Sequence, residues 1–209
     1  GAALPLLYHP SYFGLAYLVP LQPGETVLVH SAAGGVGLAA VQIARALGAG
    51  KIFGTVGADE KRQAVLDAGA DTVINYQAED FVDVVKRETG GHGADVIYDP
   101  VGGDVAARST KCIAFEGRLV VIGFTSGDFT QFASNHLLIK NYSVVGLHWG
   151  HYRQMKPERI EQGWSELVAL QAKAGFKPHV GARFPMQDVA VAMRHLTSRK
   201  AVGKVVLHW

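Results

Sequence analysis

The stretch TVLVHSAAGGVGLAAVQIARAL, residues 26–47, decides the fold. Residues 26–30 are a short apolar, β-branched run of the kind that forms a buried strand. Residues 34–47 repeat apolar side chains at helical spacing, and Gly48 supplies a natural helix end. Small residues dominate the turn between them, residues 31–37. A strand, a small-residue turn and a helix in this order predict a dinucleotide-binding unit.

The turn fits the glycine pattern G-x-G-x-x-G, with one replacement. The register places Ala32, Gly34 and Gly37 at the glycine positions, so alanine takes the place of the first glycine. A pyrophosphate needs backbone N–H groups and the positive end of a helix dipole at close range, and side chains would obstruct that approach. We therefore expect the phosphates to lie against Ala32, Gly34, Gly35, Val36 and Gly37. A structural turn that binds no ligand remains the alternative.

Composition and motifs exclude several classes of protein. The turn continues as Gly37-Leu38-Ala39, without the lysine and hydroxyl residue that a P-loop needs. The 20 Lys and Arg residues, against 18 Asp and Glu, are scattered, which argues against a nucleic-acid partner. Cys112 is the only cysteine, so neither an internal disulfide nor a cysteine-cluster zinc site is expected, and we predict a buried thiol. Since no apolar run reaches membrane length and no signal peptide is recognisable, we expect no membrane partner and a cytoplasmic location. We also expect no bound metal.

Strand and helix patterns alternate over residues 21–150. The expected strands are 26–30, 51–56, 72–75, 95–98, 118–123 and 143–147, and the expected helices are 34–47, 60–68, 79–89 and 105–112. This alternation predicts an α/β fold with a doubly wound parallel sheet. Residues 1–20 are interpreted as a linker region with a helix that begins near Ser11. Residues 151–209 are interpreted as part of another unit, with helices at 158–174 and 187–198 and strands at 178–184 and 204–207.

The end of the second strand bears on the choice of dinucleotide. NAD sites usually carry an acidic residue about 20 residues after the glycine turn, where it accepts from the ribose hydroxyls. Gly57 lies at that distance from Gly37, so the position holds no acid and leaves room for a 2′-phosphate. Lys61 could reach that phosphate as a point charge, and Tyr76 could close over the adenosine. We therefore predict NADPH rather than NADH, although Lys61 could equally be a solvated helix residue near acidic neighbours.

The chain resembles the cofactor-binding half of a zinc-independent medium-chain dehydrogenase/reductase, close to the NADPH:quinone oxidoreductase (zeta-crystallin-like) group. The resemblance runs in order through nearly the whole chain. The matching stretches are VLVHSAAGGVG (27–37), GTVG (54–57) with Lys61, AGAD (68–71), VINY (73–76), YDPVGG (98–103), GRLVVIG (117–123) and GKVVL (203–207).

The resemblance implies a cofactor, a reaction and an assembly. It places Gly57, Lys61 and Tyr76 around the adenosine phosphate of NADPH. On the nicotinamide side it places Val101, Gly123, Phe124 and Ser126. It further implies hydride transfer to a quinone or an activated enone by a homodimer or homotetramer that pairs through the edge strand near 143–147.

Two departures from the family pattern affect these expectations. Members begin with a GroES-like catalytic domain, whereas this chain starts after it, and residues 176–209 resemble the segment that completes that domain. We therefore expect the chain alone to bind cofactor but to be inactive. Members also carry a threonine after Tyr-Gly near the first helix, but this chain reads Tyr8-His9-Pro10-Ser11. The contact is predicted to be lost or to pass to Ser11.

No catalytic residue can be assigned from the sequence. Tyr8, Tyr12 and His148 are candidate proton donors, with packing as the alternative role. Four aromatic side chains could stack on a flat quinone or line a cleft or interface: Phe124, Phe129, Trp149 and Tyr152. Two other functions remain open, namely an enoyl reductase of the same superfamily, including one from a polyketide or fatty-acid synthase, and a non-catalytic NADPH-binding module.

Overall fold

The computed structural model describes residues 3–209 and contains a six-stranded parallel sheet in the order β3-β2-β1-β4-β5-β6. The strands of this sheet are β1 (Thr26–Val29), β2 (Lys51–Val56), β3 (Thr72–Asn75), β4 (Ala94–Asp99), β5 (Ile113–Val121) and β6 (Ser143–Gly146). The predicted α/β fold with a doubly wound parallel sheet is therefore confirmed.

Helices follow most of these strands and cover both faces of the sheet. They are α1 (His9–Tyr12), α2 (Gly35–Ala46), α3 (Arg62–Asp67), α4 (Phe81–Glu88), α5 (Gly103–Ser109), α6 (Ser134–Lys140), α7 (Trp149–Met155), α8 (Pro157–Ala174) and α9 (Val189–Thr197). Short 3₁₀ turns at Asp59–Lys61 and Met186–Asp188 precede α3 and α9. No helix within residues 3–209 is long and apolar enough to cross a membrane.

Strand β1 lies at the centre of the sheet and is buried on both faces. Val27 and Val29 belong to the core cluster that includes α2, while Leu28 belongs to the cluster that includes α4. Val27 pairs with Ile52 of β2 on one side and with Val96 of β4 on the other. Strand order reverses between β1 and β4, so a crevice forms beyond the carboxyl ends of these two strands.

The first helical segment begins earlier than the sequence predicted. Instead of starting near Ser11, the chain is helical from Leu4, with π-helical turns at Leu4–Tyr8 and Phe13–Leu18 on either side of α1. Pro5 and Pro10 occupy the first positions of their helical turns. A proline costs little there because the first N–H groups of a helix have no intrahelical partner.

Strand β5 and helix α5 also differ from their predicted bounds. The strand begins at Ile113 rather than residue 118, and α5 spans Gly103–Ser109 rather than 105–112. Ala94 pairs with Ile113 but Val96 pairs with Arg118, so the residues in between bulge out of the ladder. Because the bulge interrupts the alternation of side chains, the sequence pattern does not indicate that the strand begins at Ile113. Helices α6 and α7 were not predicted, and each is only two turns long.

The C-terminal part adds a second, smaller sheet. Strands β7 (Val180–Pro185) and β8 (Lys204–His208) pair in parallel through α9. The sequence predicted two strands and a helix in this region but not their pairing. The unit meets the large sheet where the N–H of Gly203 donates to the carbonyl of Ala33 at 2.8 Å. A two-stranded sheet is therefore joined directly to the turn after β1.

Candidate functional site

The glycine-rich turn lies at the carboxyl end of β1, where the strand order reverses. Ser31 adopts a left-handed conformation with φ of 50°, and its carbonyl accepts from the N–H of Gly34 at 2.9 Å. The N–H of Ala32 donates to the carbonyl of Thr55 on β2 at 2.9 Å. Helix α2 then starts at Gly35, and the first N–H groups of any helix lack intrahelical partners. The N–H groups of Ala32 and Gly34 are thus engaged within the protein, and the N-terminus of α2 supplies the backbone donors at the crevice.

Gly37 is required by the packing of α2 on this turn. A Cβ atom at position 37 would lie 2.3 Å from the carbonyl oxygen of Ser31 and 2.7 Å from the Cα of Ala32. At Gly34 a Cβ would lie 3.2 Å from the same Ser31 oxygen, which is tight but less severe. Close approach of α2 thus depends on glycine at position 37.

Alanine at the first position of the motif is matched by a glycine on the neighbouring strand. Ala32 is fully buried, and its Cβ would lie 2.9 Å from a Cβ added at Gly54 of β2. The same added atom would approach Val65 of α3 to 2.7 Å. Gly54 therefore provides the space that the methyl group of Ala32 occupies, and the alanine leaves the turn geometry intact.

A buried histidine supports the turn from below. The ring nitrogens of His30 lie 3.1 Å from Thr55 Oγ1 and 2.8 Å from Ser109 Oγ. Thr55 Oγ1 also accepts from the N–H of Ser31 at 3.3 Å. Burial lowers the pKa of His30 to about 3, with a smaller contribution from the charge of Arg108. His30 is therefore a neutral positioning residue, and the sequence signalled it only as a polar side chain at the end of a buried strand.

The residues predicted around the adenosine phosphate cluster at the end of β2. A Cβ on Gly57 would lie 2.5 Å from the hydroxyl oxygen of Tyr76, so the ring of this half-exposed tyrosine lies over the glycine. Nζ of Lys61 donates to the carbonyl of Arg199. The neighbouring carboxylate of Asp59 pairs with Arg62 at 3.5 Å. Gly57 and Tyr76 are thus in contact, while Lys61 reaches across to the C-terminal segment.

The C-terminal segment 199–203 forms a wall of this crevice that sequence reasoning missed. The carbonyl of Arg199 in this segment accepts a hydrogen bond from the Lys61 ammonium group, and the N–H of Gly203 donates to the carbonyl of Ala33. Arg199 and Lys200 bring two further basic side chains into the same segment. More than 130 residues separate Lys61 from Arg199 (|i−j| = 138), so no local pattern indicated the contact. In the sequence, only the adjacent basic residues Arg199 and Lys200 point to a role for this segment in binding an anion.

The residues predicted on the nicotinamide side are joined by a turn after β4. The buried carboxylate of Asp99 accepts from the N–H groups of Val101 at 2.8 Å and Gly102 at 3.2 Å. Desolvation raises the pKa of Asp99 above its ordinary value. The N–H and Oγ of Ser126 both donate to the Val101 carbonyl, at 3.1 and 2.7 Å. The structure therefore brings Val101 and Ser126 together beside Phe124, which is half exposed.

The candidate hydroxyl donors are engaged inside the chain. Tyr8 is buried, and its hydroxyl donates to Gln42 Oε1 at 2.6 Å. The hydroxyl of Tyr12 donates to Glu166 at 3.1 Å, and burial together with that carboxylate raises the pKa of Tyr12 to about 12. Ser11 is also buried, with its hydroxyl 2.8 Å from that of Tyr98. These contacts indicate packing roles for Tyr8 and Tyr12 and turn Ser11 towards the interior.

The aromatic candidates separate into two groups. The Trp149 ring lies edge-on to His9 at 5.2 Å, and the Tyr152 ring lies 4.6 Å from that of Phe13, so both pack against the N-terminal helical segment. Phe124 and Phe129 contact each other edge to face at 4.8 Å and remain exposed. Of the four, these two stay open to a ligand. His148 is exposed as well, stacked on His151.

Cys112 is buried, as predicted, and burial raises the pKa of its thiol to about 12. Such a thiol is a poor nucleophile because the thiolate is the reactive form. Over residues 3–209, no group of three or more His, Cys, Asp and Glu side chains is arranged to hold a metal ion.

Known proteins share this arrangement. The model of a family described as zinc-binding dehydrogenase matches residues 35–169. Quinone oxidoreductase-like protein 2 of Bos taurus is 38% identical over 207 residues, which cover 99% of this chain and 59% of that protein. The structure of Escherichia coli quinone oxidoreductase complexed with NADPH superimposes with a TM-score of 0.85 at 37% identity, covering 97% of this chain and 63% of that one.

A reductase of another substrate class is similar to the same degree. The CurK enoyl reductase superimposes with a TM-score of 0.86 at 32% identity, covering 99% of this chain and 62% of that one. The present chain thus spans less than two thirds of the length of each of these proteins.

Proposed function

This chain belongs to the zinc-binding dehydrogenase family, and we propose that it is the NADPH-binding portion of an oxidoreductase that transfers hydride to a quinone or an activated enone. The observation that carries the proposal is the bare start of α2. Helix α2 begins at Gly35 after the N-cap residue Gly34, and no side chain caps its first N–H groups, which suits a diphosphate. Similarity to a quinone oxidoreductase crystallised with NADPH supports the choice of cofactor.

The residues around the crevice fit the two ends of the dinucleotide. The adenosine end would lie over Gly57 beside Tyr76, with the ammonium group of Lys61 near a 2′-phosphate. No acidic residue follows β2 directly, since Val56 leads into Gly57 and Ala58. The nicotinamide end would lie near Val101 and the segment 123–127, including Gly123, Phe124 and Ser126. When bound, the cofactor supplies the hydride, and the chain orients it and excludes water.

Cofactor preference tests the adenosine end. We expect the chain to bind NADPH at least about tenfold more tightly than NADH, because one charge-assisted contact to the 2′-phosphate is worth about 1.4 kcal/mol or more. Lys61→Met should remove most of that preference while leaving NADH affinity unchanged. Lys173→Met, on the exposed face of α8, is the matched control. Equal affinities for the two cofactors in fluorescence titrations would contradict the NADPH assignment.

The substrate is the second part of the proposal. A quinone or enone would stack near the exposed pair Phe124 and Phe129. The similarity to CurK enoyl reductase favours an enoyl thioester as the second candidate. Steady-state rates with a panel of quinones and enoyl thioesters, measured on a protein of the full length of its relatives, would separate the two.

The division of labour within the longer protein is proposed as well. We take residues 1–20 as a linker region, 21–150 as the nucleotide domain and 151–209 as part of the catalytic domain. The half-exposed apolar side chains of α9, including Met193, support this division because they leave an uncovered face within residues 3–209. The chain alone should bind NADPH without turnover, and a non-catalytic module would give the same result even when the remaining domain is added.

Homodimer formation through β6 completes the proposal. Strand β6 is the outer strand of the sheet, and Ser143 and Gly146 are exposed along it. An edge strand with open backbone groups can pair with a second copy. Light scattering should give a dimer for the family-length protein. Val144→Pro should convert it to a monomer, because in the parallel β5–β6 ladder the N–H of Val144 points away from β5 towards the open edge. A monomer before substitution would refute this part of the proposal.

A further inference from the structure

A cavity of about 530 Å³ opens at the edge of the sheet opposite the glycine-rich turn. Residues 91–93 precede β4 and residues 111–113 lead into β5, so the cavity lies at the amino ends of these strands. The crevice described above lies at their carboxyl ends. Since β4 has six residues, the two sites are roughly 20 Å apart along the strands. The volume is typical of a small-molecule site.

The lining of this cavity is cationic. Lys86, His92, Lys111 and Lys140 contribute to it, and no Asp or Glu is among its lining residues. No ion pair joins any of the three lysines to a carboxylate within the part of the chain that the structure describes. The formal charge of the whole chain is only +2, so the concentration of positive charge here is local.

Two nearby carboxylates are already paired with other side chains. Asp95 pairs with His92 at 2.8 Å and accepts from the backbone N–H of Thr26. Asp80 pairs with Arg108 at 2.8 Å. These two carboxylates are therefore not available to pair with the three lysines.

Lys140 is held in position at the wall of the cavity. Its Nζ donates to the carbonyl of Thr110 at 2.7 Å, which leaves two of its three N–H bonds for a ligand. Burial lowers the pKa of Lys140, and the charge of Lys86 lowers it further. The two ammonium groups thus repel each other, and an anion between them would relieve that repulsion.

The mouth of the cavity is apolar. Phe115 is 67% exposed and Ile139 is 73% exposed, and both line it. Large apolar side chains so exposed beside a cationic pocket suit a ligand that combines a charged head with an apolar group. Inorganic phosphate alone would leave this part of the lining in water.

We propose that this pocket binds an organic phosphate monoester, with its dianionic head among Lys86, Lys111 and Lys140 and its apolar group against Phe115 and Ile139. A dianion matches several ammonium groups that line one pocket better than a carboxylate does, and lysine binds phosphate as a point charge. The pocket is separate from the dinucleotide crevice, and its occupancy does not depend on the function proposed for that crevice.

Calorimetric titration of the chain with phenyl phosphate, at saturating NADPH to block the crevice, tests the site. Lys86→Gln and Lys111→Gln should each raise the Kd about tenfold, since each removes a charge-assisted contact. Lys173→Gln on α8 should leave it unchanged. Phe115→Ala should lower the affinity for phenyl phosphate several-fold, because it removes an aromatic contact, and should leave the affinity for inorganic phosphate unchanged. Benzyl alcohol should not bind.

Several results would overturn the assignment. Equal Kd values for phenyl phosphate in Lys86→Gln and the Lys173→Gln control would show that Lys86 does not contact the ligand. Loss of binding when NADPH is added would place phenyl phosphate in the dinucleotide crevice instead. If NADPH itself does not bind, the comparison of lysine variants still decides this proposal, because that comparison needs no cofactor. Melting temperatures of all variants without ligand show whether each remains folded.

Discussion

The two sheets of this molecule differ in how completely they bury their apolar side chains. In the six-stranded sheet, the central strand β1 has Val27, Leu28 and Val29 fully buried between helices on both faces. In the β7–β8 unit, Ala192 of α9 is the single buried residue among residues 180–208, and Met193 is 55% exposed. In a sheet covered on both faces, close packing fixes the side chains. A sheet covered on one face is held in place by a few contacts with the rest of the protein.

The difference determines where each unit tolerates change. The turn after β1 is set by contacts with β2, α2 and the buried His30, so several elements constrain it at once. The β7–β8 unit is joined to that turn by the Gly203–Ala33 hydrogen bond, and to the segment after β2 by the hydrogen bond from Lys61 to Arg199. Substitutions in the six-stranded sheet should therefore affect the whole fold, and those in the β7–β8 unit should act locally.

Gly37→Ala should have the largest effect, about 4 kcal/mol of unfolding free energy. Its Cβ would lie 2.3 Å from the Ser31 carbonyl, so α2 must move away from the sheet. Urea denaturation measures the loss, and cofactor affinity should fall with it. Gly150→Ala is the matched control because nothing but a side-chain atom at 4.0 Å approaches an added Cβ there. A Gly37→Ala protein as stable as that control would show that the turn is not held as described.

His30 should make the six-stranded sheet sensitive to acid. Its pKa is lowered to about 3 when folded, from an ordinary value of 6.5, so the unfolded chain binds the extra proton first as pH falls. The stabilisation is present above pH 6.5 and is lost between pH 6.5 and 3. Between pH 7 and 4 the wild type should lose about 3 kcal/mol more than His30→Gln does. Parallel stability profiles for the two proteins would contradict this.

Gly203→Ala should destabilise the β7–β8 unit by about 2 kcal/mol without unfolding the larger sheet. Position 203 has φ of 65°, and an added Cβ would lie 2.5 Å from the His179 carbonyl. Gly175→Ala is the matched control, with φ of 73° but no atom within 4 Å of its Cβ. Hydrogen exchange should speed up in β7 and β8 and stay slow in β1. Equal acceleration in both sheets would mean that they unfold together.

Sequence reasoning succeeded where burial on both faces imposes a simple pattern. Strands β2 and β3 have the predicted bounds because each is a short β-branched run with polar or glycine-containing segments on both sides. It failed where long-range contacts decide the structure. The bulge in β5, the two-turn helix α6 and the contact of Lys61 with Arg199 depend on partners distant in the chain. The supporting role of His30 was also missed, since a histidine at a strand end gives no sign of which side chains lie around it.

Met193→Ala should have the smallest effect, within about 0.5 kcal/mol, because its side chain is more than half exposed on α9. Leu38→Ala in α2 is the matched comparison, since Leu38 is 1% exposed and its loss should cost about 3 kcal/mol. Denaturation of both variants in the same buffer measures the loss of unfolding free energy in each. A cost above about 1.5 kcal/mol for Met193→Ala would mean that a second molecule covers α9 in solution. The cost would then depend on protein concentration, and the contrast between the two sheets would apply only to the isolated chain.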